Sequence, residues 1–174
     1  MLIETKRLVI RDVQEEDGPV FAGMAADGSL RDIGFDEDCG RWIMDWIPEA
    51  QTLAAQDRPD ADYLAYTVAA KDGGAVIGSV GCSWYEDLRE TGVTYFIGPQ
   101  YRNCGYAREA VEAYVRYFFS HYSGISKIIA TVREENIPSW KTVEKAGFRL
   151  VETKLYQDLN DSQAEPYRFY EYTR

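Results

Sequence analysis

The chain has 174 residues, of which 45% are hydrophobic and 14% aromatic, a composition typical of one packed domain rather than a disordered segment. Its formal net charge of −10 argues against the broadly basic surface of a general nucleic-acid-binding protein. No apolar run approaches the length of a membrane span, and the N-terminus lacks the apolar core of a signal peptide. These features predict a single domain over residues 1–174, located in the cytoplasm, with no nucleic-acid or membrane partner.

The three cysteines lie far apart in the sequence. Cys39, Cys82 and Cys104 form no Cys-x-x-Cys pair, and their number is odd. This pattern favours free thiols in a reducing compartment over a disulfide framework or a zinc site. We therefore expect no metal.

The first third of the chain predicts one strand followed by two helices. Leu8–Asp12 is predicted as a strand, and residues 13–17 begin a helix with acidic residues in its first turn. Residues 27–38 carry two glycines and many charges, which predicts a mobile loop. Residues 40–56 have apolar side chains at helical spacing and are predicted as the second helix.

The middle of the chain predicts a run of antiparallel strands. Residues 64–70 alternate, residues 71–74 read as a hairpin turn, and residues 76–84 form the next strand. That strand contains Gly78 and Gly81, each of which marks either a bulge or a close backbone approach. An acidic loop is predicted over residues 85–92.

A central strand and a long helix follow, joined by a short loop. Residues 93–97 alternate as in a strand, and helical spacing of apolar residues begins at Ala107. The loop ending in residues 102–105 therefore presents free backbone N–H groups at a helix N-terminus, where phosphate is the usual ligand. Gly105 removes a side chain where a phosphate would approach, although easing the turn is the simpler explanation of one glycine.

The last third of the chain predicts a strand, a capped helix and a closing strand pair. Residues 127–132 form the strand, and Asn136 is positioned as the N-cap of a short helix that Gly147 ends. Residues 150–155 and 167–172 are predicted as the closing strands, on either side of a loop rich in Asp and Asn.

Two of these blocks resemble the acyl-CoA motifs of the GNAT superfamily of N-acetyltransferases. The pattern Arg-x-x-Gly-x-Ala at residues 102–107 resembles the pyrophosphate loop of that superfamily. The pattern Asn-x-x-Ser-x-x-x-x-Glu-Lys-x-Gly-Phe at residues 136–148 resembles its second motif. The opening Thr-x-Arg-Leu-x-Ile-Arg at residues 5–11 is similar to the branch that contains the ribosomal-protein N-terminal acetyltransferases.

The resemblance implies an α+β fold with a mixed, mostly antiparallel sheet flanked by helices. A parallel strand pair, residues 93–97 and 127–132, would splay apart and hold the pantetheine arm of acetyl-CoA. The cofactor-binding residues that the resemblance implies are Phe96, Ile97, Arg102, Asn103, Cys104, Gly105, Tyr106, Ala107, Asn136 and Ser139.

The resemblance also implies direct transfer of an acetyl group to a primary amine within a ternary complex. The acceptor is a protein N-terminus or a small amine, and the protein is a monomer or a homodimer. Many relatives place a tyrosine seven residues after the motif Asn to protonate the leaving thiolate, but here that position is Val143. Ser139 is the best substitute, directly or through water; an ordinary helix-start hydroxyl is the alternative.

The general base is harder to assign from the sequence. Some relatives carry a Glu on the central strand, where this chain has Gly92 and Val93. Glu86 and Glu90 in the preceding loop are the candidates, and Tyr95 can hold the acceptor; a solvated loop is the plainer interpretation of all three.

Two further alternatives remain open from the sequence. Trp42 and Trp46 in the second predicted helix serve either core or lid packing, or a wall of the acceptor site. For the whole protein, the rival to an enzyme is a non-catalytic module that senses acyl-CoA without turning it over.

Overall fold

A computed structural model describes all 174 residues as eight strands and four helices, with three short 3₁₀ turns. The strands are β1 Leu2–Glu4, β2 Leu8–Asp12, β3 Tyr63–Ala70, β4 Val76–Tyr85, β5 Glu90–Ile97, β6 Lys127–Arg133, β7 Arg149–Tyr156 and β8 Glu165–Thr173. The helices are α1 Gly18–Ala25, α2 Cys39–Gln56, α3 Tyr106–His121 and α4 Ile137–Lys145.

All eight strands form one sheet, in the order β1-β2-β3-β4-β5-β6-β8-β7. Every neighbouring pair is antiparallel except β5 and β6, which are joined through α3 and are parallel. These two strands pair at one position only, Gly92 opposite Ile129. Their C-terminal halves therefore separate, and a cleft opens in the middle of the sheet. This is the mixed, mostly antiparallel sheet that the sequence predicted.

Two hydrophobic clusters hold the helices against the sheet. The larger has 24 buried residues and places the apolar side of α3 on the sheet, which explains the helical spacing read from the sequence. The smaller has nine and joins α1, α2 and the loop between them to β5: Val13, Phe21, Met24, Ala25, Leu30, Cys39, Ile43, Ile47 and Phe96. The smaller cluster lies directly behind one end of the cleft.

The glycines of β4 mark close backbone approach. A Cβ on Gly78 would collide with the carbonyl oxygen of Phe96, and one on Gly81 with that of Leu64. The register of β3 and β4 also shifts beside Gly78. Both explanations offered by the sequence therefore apply to Gly78, and close approach applies to Gly81.

Two sequence predictions need correction. The predicted loop over residues 85–92 is wrong at both ends, because Tyr85 belongs to β4 and pairs in register with Glu90, the first residue of β5. Its acidic composition suggested a loop, but Glu90 begins a central strand, and its carboxylate pairs with Lys127 of the adjacent strand β6. The strand Leu2–Glu4 was not predicted, since three residues are too few to show alternation. None of the four helices is long and apolar enough to cross a membrane.

Candidate active site

The cleft between β5 and β6 contains a cavity of about 410 Å³. One side is formed by the separated strands and α4: residues 93–96, residues 130–133, Asn136 and Ser139. The other side comes from α2, β3, β4, β8 and two loops, so that residues distant in sequence meet around one space. The cavity is therefore a product of the strand separation.

The 102–107 loop presents a row of unused backbone donors. The N–H groups of residues 103–108 donate to no acceptor in the protein, and the first helical bond of this region is Glu109 N–H to the Gly105 carbonyl. Asn103 and Gly105 take left-handed conformations, with φ of 61° and 77°, which bends the loop and leaves these amides free. Six consecutive free amides at the N-terminus of a sixteen-residue helix are the arrangement that suits an anion, and the binding of phosphate there stays a prediction.

Arg7 adds a positive charge beside these amides. Its Nη1 donates to the Cys104 carbonyl at 2.9 Å, its Nε to Glu109 at 2.7 Å, and its guanidinium lies 4.5 Å from the Tyr106 ring centroid. Thr5 Oγ1 also donates to Glu109, at 2.7 Å. Burial opposes ionisation of Glu109, but these hydrogen bonds outweigh it and lower the pKa of the carboxyl. Sequence reasoning did not assign Arg7 a role, although it noted the Thr-x-Arg pattern.

Arg102 fixes the loop from its other side. Its Nε donates to the Ile97 carbonyl at the end of β5 (3.0 Å), and its Nη2 donates to Ser29 Oγ (2.7 Å). Phe96 lines the cavity, while Cys104 is exposed in the loop. The predicted cofactor-binding residues of β5 and the loop are thus brought together around the β5–α3 junction.

Ser139 lies in the cavity wall and contacts Tyr95 from the opposite strand. Asn136 caps α4 as predicted, with its Oδ1 accepting from Ser139 N–H at 3.2 Å. Ser139 Oγ lies 2.8 Å from the Tyr95 hydroxyl, which also donates to the Ser139 carbonyl at 3.0 Å. Burial raises the pKa of Tyr95 to about 12, so its phenol stays protonated. Val143, by contrast, is fully buried in the core.

The two glutamates named from the sequence lie outside the cavity wall. Glu86 accepts a hydrogen bond from Trp84 Nε1 at 2.7 Å, and Glu90 forms an ion pair with Lys127 at 2.5 Å. Glu86 thereby holds a ring that does line the cavity. The structure does not bring either carboxylate to Ser139.

Two carboxylates line the cavity, Asp32, which is paired with Arg133, and Asp158, in the loop between β7 and β8. One of the Asp158 oxygens accepts from Leu159 N–H at 2.7 Å, and the other accepts no hydrogen bond. Burial raises the pKa of Asp158, and the nearby carboxylates of Asp161 and Asp87 raise it further. Sequence reasoning missed Asp158 because a segment rich in Asp and Asn reads as a solvated turn.

Asp161 anchors the loop that carries Asp158. It forms an ion pair with Arg133 at the end of β6 and accepts from the Tyr167 hydroxyl at 2.8 Å. Its side chain is only 2% exposed. Asn160 Nδ2 donates to the Asp32 carbonyl at 3.4 Å, which links this loop to the one before α2. The Asp158 carboxylate is thus held on an anchored loop.

Aromatic side chains cover the cavity wall farthest from α4. We call the following five the aromatic wall: Phe35, Trp42, Trp46, Tyr63 and Trp84. All five are half-buried. Trp42 and Trp46 therefore both pack on the smaller hydrophobic cluster and face the cavity.

Comparison with known proteins identifies the family. A family profile described as an acetyltransferase (GNAT) domain matches residues 7–149. The chain belongs to the GNAT family of acetyltransferases. It is 28% identical over 156 residues to the uncharacterized N-acetyltransferase YnaD of Bacillus subtilis, which covers 86% of this chain and 83% of that protein.

Solved GNAT structures have the same fold. An acetyltransferase (GNAT family) from Bacillus anthracis superimposes with a TM-score of 0.81 at 21% identity, covering 99% of this chain and 98% of the other. RimL, a ribosomal L7/L12 α-N-protein acetyltransferase solved with coenzyme A, superimposes with a TM-score of 0.81 at 10% identity, covering 99% and 98%. The predicted fold and family are confirmed, and the protein is an acetyl-CoA-dependent acetyltransferase.

This GNAT site has two chemically different halves. The cofactor half consists of the 102–107 loop, Arg7 and the start of α4, and offers backbone donors and positive charge. The acceptor half consists of the aromatic wall and Asp158, and offers carbon surface and negative charge. The first half supplies free N–H donors in a row, the arrangement that suits an anion such as pyrophosphate. No group of three or more His, Cys, Asp or Glu side chains is arranged to hold a metal ion.

Proposed function

We propose that the protein moves the acetyl group of acetyl-CoA directly to a primary amine within a ternary complex. The observation that supports this most strongly is the single cavity at the strand separation, which reaches Asn136 and Ser139 on one side and Asp158 on the other. Acetyl-CoA supplies an acetyl group activated as a thioester. Both substrates can meet in this cavity, so no acetylated enzyme residue is required.

In this proposal the cofactor is held by the 102–107 loop and by the edges of the separated strands. The free amides of residues 103–108 and Arg7 bind the pyrophosphate. Phe96, Ile97 and Asn136 border the pantetheine arm. Because most donors are backbone groups, binding depends on the loop conformation more than on any one side chain.

Asp158 serves as the general base. A primary amine arrives protonated and must lose a proton before its lone pair can attack the acetyl carbon. A carboxylate with a raised pKa is a stronger base than an ordinary one, and Asp158 has one oxygen without a hydrogen bond that can accept the proton. Asp158 replaces Glu86 and Glu90 in this role.

Ser139 protonates the departing sulfur, as the sequence suggested. Its hydroxyl is hydrogen-bonded to the Tyr95 phenol, so a proton that leaves Ser139 can be replaced from Tyr95. The protonated amine first gives one proton to Asp158. The C–N bond then forms as the C–S bond breaks, Ser139 gives its proton to the sulfur, and the second nitrogen proton returns through water to the Ser139–Tyr95 pair. Tyr95 thus takes a proton-donating role beside Ser139, where Val143 cannot.

The rival, a module that binds acyl-CoA without turnover, has less support. A sensor needs the cofactor half alone, whereas this chain also has a half-buried carboxylate, Asp158, on the acceptor side of the cavity.

The location that we propose is the cytoplasm. The three cysteines are free, and two of them are buried, which agrees with a reducing compartment.

The test is release of free CoA from acetyl-CoA by purified protein across a panel of primary amines and N-terminal peptides. The matched control is Asp158→Asn, whose acetyl-CoA affinity is measured by calorimetry. Amine-dependent CoA release that falls in the control, with affinity preserved, supports the proposal. Tight acetyl-CoA binding without CoA release for any amine would favour the sensor.

A further inference from the structure

The aromatic wall is more than structural packing. Phe35 contacts Trp42, Trp46 and Phe96 with ring centroids 5.5, 5.3 and 5.2 Å apart. Trp46 is parallel to Tyr63, with an interplanar angle of 5° and a centroid distance of 6.3 Å. Phe35, Trp42, Trp46 and Tyr63 are thus linked ring to ring, and all five rings of the wall remain half-buried rather than buried. When an apolar group of a ligand covers rings that are partly exposed, the burial of their surface lowers the free energy of the complex.

A buried ring supports the wall from behind. Phe21 is fully buried and makes edge-to-face contacts with Phe35, Trp46 and Phe96, at centroid distances of 6.3, 6.2 and 5.5 Å. A ligand that covers the wall therefore does not have to order it first, which keeps the entropic cost of binding low.

The polar atoms of two of these rings are already occupied. Trp84 Nε1 donates to Glu86 at 2.7 Å, and the Tyr63 hydroxyl donates to Glu49 at 2.9 Å. Neither glutamate lines the cavity. What Trp84 and Tyr63 present to a ligand is therefore carbon surface and not hydrogen-bonding groups.

The charges around the cavity are acidic. Asp158 and Asp32 line it, and Asp87 and Asp161 lie near Asp158. The one cationic side chain that lines the cavity is Arg133, and it is paired with both Asp161 and Asp32. A cationic amine is favoured here, whereas a carboxylate on the acceptor would find no free positive partner.

From these observations we infer that the acceptor is a small arylalkylamine, a primary amine on a short chain that ends in an aromatic ring and carries no carboxylate. The ring lies on the aromatic wall and the nitrogen lies toward Asp158. This inference rests on the proposed function and narrows its acceptor class. It also gives Glu86 and Glu49 a role, as groups that orient the rings of the wall.

The experiment compares matched amines with acetyl-CoA at saturation. Phenylethylamine carries an aromatic ring that butylamine lacks. Phenylalanine carries a free carboxylate that phenylalanine amide lacks. We expect kcat/KM for phenylethylamine to exceed that for butylamine by about tenfold or more, and phenylalanine amide to exceed phenylalanine by a similar factor.

A variant of the wall separates ring recognition from general damage. Trp46→Leu should lower kcat/KM for phenylethylamine much more than for butylamine, and so remove most of the preference. The matched control is Tyr117→Leu, which removes a ring on α3 that stacks on His121 away from the cavity, and it should preserve the preference.

Binding provides a readout that does not depend on turnover. Calorimetric titration of phenylethylamine and butylamine into the CoA-saturated protein should show tighter binding of phenylethylamine, lost in Trp46→Leu. Equal affinity and equal kcat/KM for the two amines, or faster acetylation of a peptide with a non-aromatic N-terminal residue, would overturn the acceptor class while leaving the acetyltransferase proposal intact. Absence of CoA release with every amine would overturn the proposed function, and the ring preference would then be decided by the titration.

Discussion

The two halves of the cleft are built by different parts of the sequence. The cofactor half is dominated by backbone: six consecutive amides, bent outward by Asn103 and Gly105 and held by Arg7 and Arg102. The acceptor half is dominated by side chains from α2, β3, β4 and two loops, which meet only in the folded chain. In the proposed function, the first half binds a constant feature, a pyrophosphate, and the second binds a variable one, the acceptor.

This difference explains why one half can be read from a short motif and the other cannot. Backbone recognition requires a fixed local conformation, and glycine at a left-handed position is a local requirement that a motif records. Recognition by side chains requires only that suitable residues meet in space, so their sequence spacing carries no pattern.

The largest effect should come from the acceptor half. Asp158→Asn removes the base but keeps the shape of the side chain, so kcat/KM should fall by about 10²- to 10⁴-fold with acetyl-CoA affinity unchanged. Asp72→Asn, in the exposed turn between β3 and β4, is the matched control. Full activity of Asp158→Asn would remove the carboxylate from the mechanism.

The same residue should set the pH dependence. The base acts only when ionised, and its pKa is raised, so kcat/KM should increase with pH through a midpoint above the ordinary carboxyl value and then level off. Asp158→Asn should lose this limb in a pH–rate profile. A wild-type profile whose acidic limb has the ordinary carboxyl midpoint would contradict the assignment.

Ser139 lies in the first turn of α4 and contacts Tyr95 across the cleft. Ser139→Ala should lower kcat by about 10- to 100-fold with acetyl-CoA affinity preserved, because Tyr95 or water can substitute in part. Ser120→Ala on the exposed side of α3 is the control. Unchanged kcat in Ser139→Ala would leave Ser139 as an ordinary helix-start residue, and Tyr95→Phe would then also be neutral.

The cofactor half should respond through affinity. Gly105→Val forces a β-branched residue into a left-handed conformation, and relief of that strain displaces the amides, so acetyl-CoA affinity should fall by about tenfold or more. Gly124→Val, in an open loop without positive φ, is the control. Calorimetry of a folded Gly105→Val variant with wild-type affinity would show that the loop does not bind the cofactor.

The smallest effect should come from Glu90. It lies outside the cavity and its ion pair with Lys127 is partly solvated, so Glu90→Gln should change kcat by less than about twofold. Glu86→Gln should also leave kcat within about twofold, but it should raise KM for an aromatic amine by loosening Trp84. A large loss of kcat in either variant would restore the interpretation made from the sequence.

Much of the fold follows from the sequence, because its elements are long and periodic. Seven of the eight strands and all four helices were predicted within a few residues, and the Asn136 cap is confirmed in detail. The errors have local causes: Leu2–Glu4 is too short to alternate, and Glu90 is a charged residue at the first position of its strand.

The candidate site divides in the same way. The 102–107 loop and Ser139 could be proposed from the sequence because contiguous motifs carry them, and their roles stay predictions. Arg7 and Asp158 were missed because their roles depend on contacts between distant segments: Arg7 lies about a hundred residues before the loop that it braces, and Asp158 reaches the cavity only through the Arg133–Asp161 anchor. Such contacts leave no spacing to detect.

The most direct test measures both halves in one pair of variants. For Gly105→Val and Asp158→Asn, calorimetry gives the acetyl-CoA dissociation constant, and CoA release at saturating acetyl-CoA gives kcat for the best amine of the panel. We predict weaker acetyl-CoA binding by about tenfold with kcat within about twofold for Gly105→Val, and the reverse pattern for Asp158→Asn, with kcat reduced by about a hundredfold or more. Two variants that each lower acetyl-CoA affinity and kcat together would contradict the division of the cleft into a backbone cofactor half and a side-chain acceptor half.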